Sequence, residues 1–256
     1  MRMGIAGVTG RMGQLLVEEV TAAKATLAGG INRPGSSKLV PVGVKLFPDL
    51  AALAADSDVV IDFSHAAVAV EHATILVKAG KSWILGTSGL SLDAEAAVAE
   101  AAKVIPVVYA SNFAAGVNLV LALAEKMGAA LPAETYDAEI SDTHHRQKVD
   151  SPSGTAIGIG RAVATGRGIR LEDHMISGRN GHHGARKTGE IGFAAVRAGQ
   201  VVGEHSLLFA SATEHIMLTH RAFDRRAFAA GAVRAGQWLQ GKPAQLYDMM
   251  DVLGMR

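Results

Sequence analysis

The densest group of titratable side chains in this 256-residue sequence lies in the segment Thr143–Ala156, which reads THHRQKVDSPSGTA. His144 and His145 are adjacent, and Arg146 and Lys148 follow them closely. Histidine changes its charge near neutral pH, and lysine can donate a proton while it also holds a carboxylate. These residue types at this spacing indicate a site that binds an anion and transfers protons.

The end of the same segment predicts the start of a helix. Pro152 is suited to the first turn of a helix, Ser153 to its cap, and residues 155–163 to its body. The first backbone amides of a helix lack partners within it and carry partial positive charge. Together with the upstream cations they predict a receptacle for a small molecule with more than one negative group. Asp142 and Asp150 reduce the local charge without cancelling it.

A metal site is the alternative interpretation of these histidines. His182 and His183 lie in a polar, glycine-rich loop over 177–190, which is either functional or mobile, and they could join His144 or His145. The sequence has no pair of histidines at helical metal-site spacing and no nearby acidic cluster of ligand type, so no metal is expected. The remaining histidines of the predicted strands are assigned no role: His205, His215 and His220.

Composition restricts the class of protein. The formal net charge of +1 lacks the basic excess of nucleic-acid-binding domains. The absence of cysteine excludes disulfides, cysteine nucleophiles and zinc sites with cysteine ligands. No apolar run approaches the roughly 20 residues of a membrane span, and early glycines interrupt any signal-peptide core. We therefore expect a cytoplasmic, soluble protein of one or two domains that binds neither nucleic acid nor membrane.

The first 113 residues predict a parallel α/β sheet. The strongest strand pattern, DVVIDF at 58–63, is an unbroken apolar run of the kind that a buried parallel strand shows. Strands that alternate with helices imply βαβ units. The predicted strands are 3–8, 26–32, 58–63, 82–85 and 105–109, and the predicted helices are 11–23, 68–79 and 94–103.

After residue 114 the pattern changes to longer strands of alternating polarity. Their period of two indicates an open sheet with one covered face. The predicted elements here are a helix at 117–130 and strands at 136–141, 191–197, 201–209 and 215–222. A last helix at 226–240 predicts a return to the first sheet. We expect an α/β protein: a Rossmann-like doubly wound parallel sheet over 1–113 plus 224–256, with an inserted α+β domain over 114–223.

A glycine-rich turn between the first predicted strand and helix indicates a dinucleotide site. The segment Gly7–Gly13, GVTGRMG, would let the backbone turn tightly and approach a pyrophosphate at the helix N-terminus. Its spacing is G-x-x-G-x-x-G rather than the usual G-x-G-x-x-G. For the glycines alone, an ordinary tight turn remains an open alternative.

The end of the second predicted strand favours one dinucleotide. An acid about 20 residues past the glycines would hold a ribose 2′-hydroxyl and repel a 2′-phosphate. This chain has Asn32 and Arg33 there, and arginine makes forked, charge-assisted contacts with phosphates. NADP(H) is therefore favoured over NAD(H). Two small polar segments follow later strands, where they could line the nicotinamide: Gly86–Gly89 and Ala110–Phe113.

The chain resembles the 4-hydroxy-tetrahydrodipicolinate reductase family, also called dihydrodipicolinate reductases, of the diaminopimelate route to lysine. The resemblance covers essentially the whole length, including GVTGRMG, VIDFS, GTSG, ASNFAAGVN, HHRQKVDSPSGTA and GEIGFAAVRAGQVVGEH. The most specific element is HH-x-x-K-x-D-x-P-S-G-T-A. It implies NAD(P)H-dependent reduction of 4-hydroxy-tetrahydrodipicolinate to tetrahydrodipicolinate with loss of water.

The resemblance also implies roles for individual residues. His144 would donate and accept protons, and Lys148 would donate a proton. The implied substrate-binding residues are His145, Ser153, Gly154 and Thr155. The implied cofactor contacts are Gly7, Val8, Thr9, Gly10, Arg11, Met12, Arg33, Gly86, Thr87, Ser88, Ala110, Ser111, Asn112 and Phe113. Many members carry an acid where this chain has Asn32, which favours NADPH while leaving NADH possible.

The family is typically a homotetramer built through the sheet of the second domain, and the long predicted strands suit this assembly. Two other functions remain open: a different NADP-dependent reductase of a small dicarboxylate, and a non-enzymatic NADP(H) sensor. A sensor does not need the His-His-x-x-Lys group, which therefore favours an enzyme.

Overall fold

The structure is a computed structural model that describes residues 1–33 and 35–255. Its strands are β1 (Arg2–Ala6), β2 (Thr26–Ile31), β3 (Val59–Asp62), β4 (Ser82–Leu85), β5 (Val107–Tyr109), β6 (Asp137–His144), β7 (Met175–Ser177), β8 (Ile191–Arg197), β9 (Gly203–Ala210), β10 (His215–Ala222) and β11 (Leu246–Tyr247). Its α-helices are α1 (Arg11–Ala22), α2 (Leu50–Ala55), α3 (Ala69–Ala79), α4 (Leu92–Ala101), α5 (Ala115–Ala130), α6 (Gly154–Gly166), α7 (Arg226–Trp238) and α8 (Met249–Leu253).

The chain divides into two compact units. Unit 1 comprises Met1–Ala115 and the chain from Arg225 onward, and unit 2 comprises Gly116–Asp224. The sequence predicted these boundaries at residues 113/114 and 223/224. No helix in the described part of the chain combines the length and the apolarity that a membrane crossing requires.

Unit 1 is built on a parallel six-stranded sheet in the order β11-β5-β4-β3-β1-β2. Both faces are covered, and all four residues of β3 are buried, as its unbroken apolar run predicts. Helices α1 and α7 pack over one face, and α2, α3 and α4 cover the other. Strands β2 and β3 lie on opposite sides of β1, so the connections diverge there and leave a crevice at the carboxyl ends of these strands.

Unit 2 is built on a mixed five-stranded sheet in the order β10-β9-β6-β8-β7. Strand β6 pairs antiparallel with β9 and parallel with β8. Every second residue of β9 is buried, and α6 packs on that face with Ile159 and Val163. Helices α5 and α6 lie so close together that a Cβ on Gly166 would be 2.1 Å from the carbonyl oxygen of Glu125. The absence of a side chain at Gly166 allows this approach. The expectation of a Rossmann-like doubly wound parallel sheet with a second, α+β domain is confirmed.

Four short elements were not predicted: α2, α8, β7 and β11. Strands of two or three residues are too short to show a period. Helix α2 reads LAALAA, which has no polar face to reveal helical spacing. The prediction that Pro152 starts a helix is wrong, because Ser153 is the cap and α6 begins at Gly154.

Candidate functional site

The glycine turn of unit 1 leaves the start of α1 open to a ligand. Gly7 has a φ of +84°, which favours glycine, and the Gly10 amide donates to its carbonyl oxygen at 2.9 Å. A Cβ on Gly13 would lie 2.2 Å from that oxygen, so only glycine fits there. The cap residue Gly10 provides no side-chain hydrogen bond to the first turn of α1. The first amides of this helix are therefore suited to an anion such as a phosphate.

A cavity of about 510 Å³ lies beside this turn, at the carboxyl ends of β1, β2 and β3. Its lining includes Gly7, Thr9, Gly10 and Arg33, all predicted to contact a cofactor. Among the lining residues, those that are charged or titratable are Arg33, Lys38, Asp49, Glu71, His65 and His72. The lining holds two basic and two acidic side chains besides the histidines, so any preference for a phosphate depends on the position of Arg33 and Lys38 rather than on net charge.

Asn32 replaces the acid that would repel a 2′-phosphate, and its side chain has a defined orientation. The Thr9 hydroxyl donates a short hydrogen bond to the Asn32 side-chain oxygen. With that oxygen engaged, the amide group of Asn32 offers only N–H donors to a ligand in the cavity. Donors suit ribose and phosphate oxygens alike.

A buried contact between an aspartate and a histidine supports the same cavity and was not predicted. Asp62, at the end of β3, is fully buried, and its carboxylate lies 2.7 Å from the His72 Nδ1 atom. Its other oxygen accepts hydrogen bonds from the amide and hydroxyl of Ser64 at 3.0 and 2.5 Å. Since Ser64 and His72 both line the cavity, Asp62 fixes part of its wall. An acid that ends an unbroken apolar run is the sequence signal that could have identified it.

Four other predicted cofactor residues differ in what their side chains contact. Thr87 is buried, and its hydroxyl has no hydrogen-bond partner among residues 1–33 and 35–255, so it is suited to a ligand. Gly86 lies against the Phe63 ring, where a Cβ would come within 2.2 Å. By contrast, the side chains of Val8 and Phe113 are part of the apolar core. Any cofactor contact made by these two residues would use their backbone.

In unit 2, the alternation of β6 directs Asp142 and His144 to the covered face of the sheet. Ser153 caps α6: its hydroxyl accepts from the Ala156 amide at 3.2 Å. The Ser153 amide donates to the Asp142 carboxylate at 2.9 Å. Ser153, predicted to bind substrate, is only 2% exposed, so it acts on the site by fixing the start of the helix.

Asp142 is the centre of a buried polar cluster. One carboxylate oxygen lies 2.7 Å from the His144 Nδ1 atom, and the other accepts from the Arg197 guanidinium at 3.0 Å. Burial raises the pKa of Asp142, but the hydrogen bonds from Ser153 and Arg197 outweigh it, and the pKa lies below its ordinary value. A carboxylate is therefore maintained next to the histidine that was predicted to transfer protons.

The strand register extends this cluster across the sheet. Asp142 on β6 lies opposite His205 on β9, and His205 lies opposite His220 on β10. The His205 Nε2 atom lies 3.1 Å from the Ser153 hydroxyl oxygen, and its ring meets the His144 ring edge-on at 5.0 Å. Burial lowers the pKa of His205 to about 4, assisted by the charge of His144 and opposed by Asp142. His205 is therefore neutral at neutral pH.

The predicted proton-transfer and anion-binding groups lie at the end of β6. The Lys148 amide donates to the His145 carbonyl at 3.1 Å, and the Lys148 ammonium donates to the Asp150 carboxylate at 2.8 Å. Burial lowers the pKa of His144, Lys148 and Arg197 lower it further, and Asp142 raises it. Outside its chain neighbours and the backbone of its own helix, no described atom lies within 4 Å of where a Cβ on Gly154 would be, so there is space beside this residue.

The ligand-type atoms of Asp142, His144 and His205 lie within 4.8 Å of one another, which raises the possibility of a metal site. However, the Asp142 oxygen and the His144 nitrogen are 2.7 Å apart, whereas two ligands on a tetrahedral zinc ion lie about 3.3 Å apart. The same carboxylate also holds the Arg197 cation. The geometry is that of an ion-paired, hydrogen-bonded network. His182 and His183 are exposed and lie outside this group.

The long polar loop of unit 2 is anchored by arginines. Arg179 donates to both carboxylate oxygens of Glu139 at 2.9 Å. Arg186 pairs with Asp137 at 2.8 Å and donates to the Ala138 carbonyl at 3.1 Å. These contacts tie the loop to β6, although its two adjacent histidines remain exposed.

The sequence predicted His144, His145 and Lys148 as site residues. It did not predict that Asp142 and His205 surround them. Period-two spacing places His205 on the same face as Leu207 and Phe209, the buried face of β9. A titratable residue in such a register is the signal that could have found His205, and the same reasoning applies to Asp142 next to Ile140 on β6.

Comparisons with known proteins agree with this arrangement. Residues 1–113 match the family profile "Dihydrodipicolinate reductase, N-terminus", and residues 116–253 match "Dihydrodipicolinate reductase, C-terminus". The 4-hydroxy-tetrahydrodipicolinate reductase of Granulibacter bethesdensis is 66% identical over 256 residues, covering 100% of this chain and 98% of its own. That of Acidiphilium cryptum is 59% identical over 255 residues, with the same shares covered.

A solved structure shares the fold. The dipicolinate-bound dihydrodipicolinate reductase from Paenisporosarcina sp. TG-14 matches with a TM-score of 0.81 and 23% sequence identity, over 98% of both chains. The two family profiles and the close relatives lead to one conclusion: the chain belongs to the dihydrodipicolinate reductase family.

Proposed function

We propose that this chain reduces 4-hydroxy-tetrahydrodipicolinate to tetrahydrodipicolinate, with NADPH as the reductant and release of water, in lysine and diaminopimelate biosynthesis. The observation that supports this most is the polar cluster before α6, where His144 lies against the buried Asp142 carboxylate and Lys148 lies on the segment that leads into the helix. The relatives at 66% and 59% identity carry this activity in their names, which supports the choice of substrate.

NADPH is proposed to bind in the cavity of unit 1. The fit rests on the glycine turn, the uncapped start of α1 and the buried Thr87 hydroxyl without a described partner. Arg33 would hold the 2′-phosphate, and Asn32 would add an N–H donor without the repulsion of an acid. When bound, NADPH supplies the hydride that reduces the substrate ring. NADH would bind in the same cavity without the Arg33 contact, and hence less tightly.

The substrate carboxylate is proposed to bind at the start of α6. The backbone amides of Gly154 and Thr155 lie in the first turn of this helix, where the partial positive charge is greatest. His145 would add a side-chain contact. Ser153 is proposed to contribute as the cap that sets the direction of these amides.

Proton transfer is proposed to use Lys148 and His144. The Lys148 ammonium donates to Asp150 in this structure and would donate to the substrate in its place. Burial lowers the pKa of His144, while the Asp142 carboxylate at its Nδ1 atom acts in the opposite direction, and the imidazole would be the group that takes up and returns a proton. One such group typically accelerates a reaction by about 10²–10⁴-fold.

The chain is also proposed to be a cytoplasmic homotetramer that assembles through the sheet of unit 2. One face of that sheet carries exposed apolar side chains, including Met217 at 61% and Val196 at 50% exposure. Apolar side chains on an exposed sheet face can pack against a second copy of the chain. Light scattering at several concentrations would give the mass of the assembly, and a monomer mass throughout would contradict the proposal.

A coupled assay tests the proposed reaction. Pyruvate, aspartate semialdehyde, the synthase that condenses them, NADPH and this protein are mixed, and nicotinamide absorbance is followed. Loss of absorbance only when all components are present supports the reductase. Without such loss, calorimetry with NADPH alone separates a different NADP-dependent reductase or an NADP(H) sensor, which would bind it, from a protein without a nucleotide site.

A further inference from the structure

The buried cluster in unit 2 connects two parts of the proposed site that are distant in sequence. One oxygen of the Asp142 carboxylate faces His144, and the other receives the amide of Ser153, the cap of α6. A single side chain therefore contacts both the proposed proton-transfer residue and the helix start that is proposed to hold the substrate.

We propose that Asp142 is a positioning residue that holds the His144 imidazole and the start of α6 in one fixed geometry, and that His205 completes this frame by holding the Ser153 hydroxyl. The inference rests on the proposed function and adds to it residues that the sequence left without a role. Neither residue is assigned a contact with the substrate.

The burial of these groups supports a positioning role. Asp142 is 1% exposed and His205 is 4% exposed, so neither side chain is accessible to a substrate. A buried carboxylate is costly unless it is paired, and here Arg197 and the Ser153 amide provide the pairing. Arg197 also donates to the Asp150 carbonyl at 2.7 Å, which ties the segment between β6 and α6 to the same carboxylate.

The contact between Asp142 and His144 affects the protonation of the His144 ring. The Asp142 oxygen lies 2.7 Å from Nδ1 without the alignment of a hydrogen bond, so it acts on the ring through its charge. A carboxylate at this distance stabilises the imidazolium and favours a proton on the nitrogen that faces it. The other charged and titratable groups that act on this ring are Arg197, Lys148 and His205. His220 stands behind His205, with its ring 6.4 Å away.

The main test is the isosteric substitution Asp142→Asn, which removes the charge and presents an amide to the ring. We expect kcat to fall by about 10- to 100-fold, less than the loss of a proton-transfer group itself. The ¹⁵N signals of the His144 ring, identified by their loss in His144→Gln, should shift from the Nδ1–H toward the Nε2–H tautomer. The titration midpoint of the His144 ring should move to lower pH, because the negative charge that favours the imidazolium has been removed.

Asp137→Asn is the matched control, since Asp137 lies on the same strand but is exposed and pairs with Arg186. It should leave kcat and the His144 signals unchanged. A purely structural role for Asp142 predicts a lower melting temperature with unchanged ring signals and midpoint, and that result would overturn the proposal. A cooperative thermal unfolding transition and the circular dichroism spectrum report whether the variant is folded, and NADPH binding reports on unit 1.

His205→Gln keeps the test decisive if Asp142→Asn does not fold. Glutamine can still reach toward the Ser153 hydroxyl but does not reproduce the ring geometry. We expect KM for the substrate to rise by several-fold, with a smaller change in kcat and unchanged NADPH affinity. Unchanged KM and kcat would refute the frame. A wild-type chain without reductase activity would refute the proposed function, whereas the His144 ring signals would still decide the role of Asp142.

Discussion

The nucleotide cavity of unit 1 and the polar cluster of unit 2 are built in different ways. The glycine turn beside the cavity depends on backbone geometry, namely the φ of Gly7 and the close approach at Gly13. The lysine, arginine and carboxylate side chains that line the cavity are exposed, and the buried Asp62–His72 contact supports only part of its wall. The cluster depends on buried side chains from separate strands, brought together by register. A substitution in unit 1 should therefore act mainly on nucleotide binding, and one in the cluster on turnover and pH dependence.

The largest expected effect is on turnover, from Lys148→Ala. Removal of a proton donor should reduce kcat by about 10²–10⁴-fold, while the NADPH dissociation constant stays near that of the wild type. Steady-state kinetics and calorimetry give the two quantities. Lys126→Ala, an exposed lysine on α5, is the matched control. An unchanged kcat in Lys148→Ala would remove this lysine from the mechanism.

The next effect concerns stability at low pH. His205 has its pKa lowered by burial from 6.5 to about 4, so the unfolded chain takes up a proton there before the folded chain does. The free energy of unfolding should therefore fall as the pH decreases from 6.5 to 4, by up to about 3 kcal/mol from this group. Urea titrations across this range measure it. His205→Gln should flatten the dependence, and the exposed His183→Gln should not; equal slopes in all three proteins would contradict the assignment.

The cavity and the cluster also differ in how much of each could be predicted from the sequence, because one depends on neighbouring residues and the other on strand pairing. The glycines of the turn lie close together in sequence between a predicted strand and a predicted helix, and Arg33 follows the next predicted strand. Both the turn at Gly7 and the loop at Arg33 could therefore be located without the structure. His144 and Lys148 were found because they are close in sequence. The roles of Asp142 and His205 depend on the pairing of β6 with β9, which a single sequence does not specify.

Gly13→Ala tests whether the backbone turn is as rigid as the contacts indicate. The added methyl would meet the Gly7 carbonyl oxygen at 2.2 Å and Val8 backbone atoms at 2.6 Å, and neither can move away easily. We expect a loss of about 1–3 kcal/mol in stability together with weaker NADPH binding. Gly158→Ala on α6, where the methyl would make an ordinary contact at 3.4 Å, is the control and should be neutral or stabilising. Thermal unfolding that ranks the two variants the other way would show that the turn can adjust.

The smallest effect should come from Arg33→Ala, because this side chain is exposed. Loss of one charge-assisted contact at the surface should weaken NADPH binding by about tenfold. NADH binding should change less, since it lacks the 2′-phosphate. Arg234→Ala on α7 is a control at an exposed arginine of the same unit. An equal loss of affinity for both nucleotides would argue that Arg33 does not read the phosphate.

The most direct test of this division of roles is a calorimetric NADPH titration of the wild type, Arg33→Ala and Lys148→Ala, combined with kcat for each from the coupled assay. The account predicts that Arg33→Ala weakens NADPH binding while it retains most of its turnover at saturating NADPH. Lys148→Ala should bind NADPH normally and turn over slowly. If Lys148→Ala lost NADPH affinity as strongly as Arg33→Ala, or turned over at the wild-type rate, the assignment of cofactor binding to unit 1 and proton transfer to unit 2 would be contradicted.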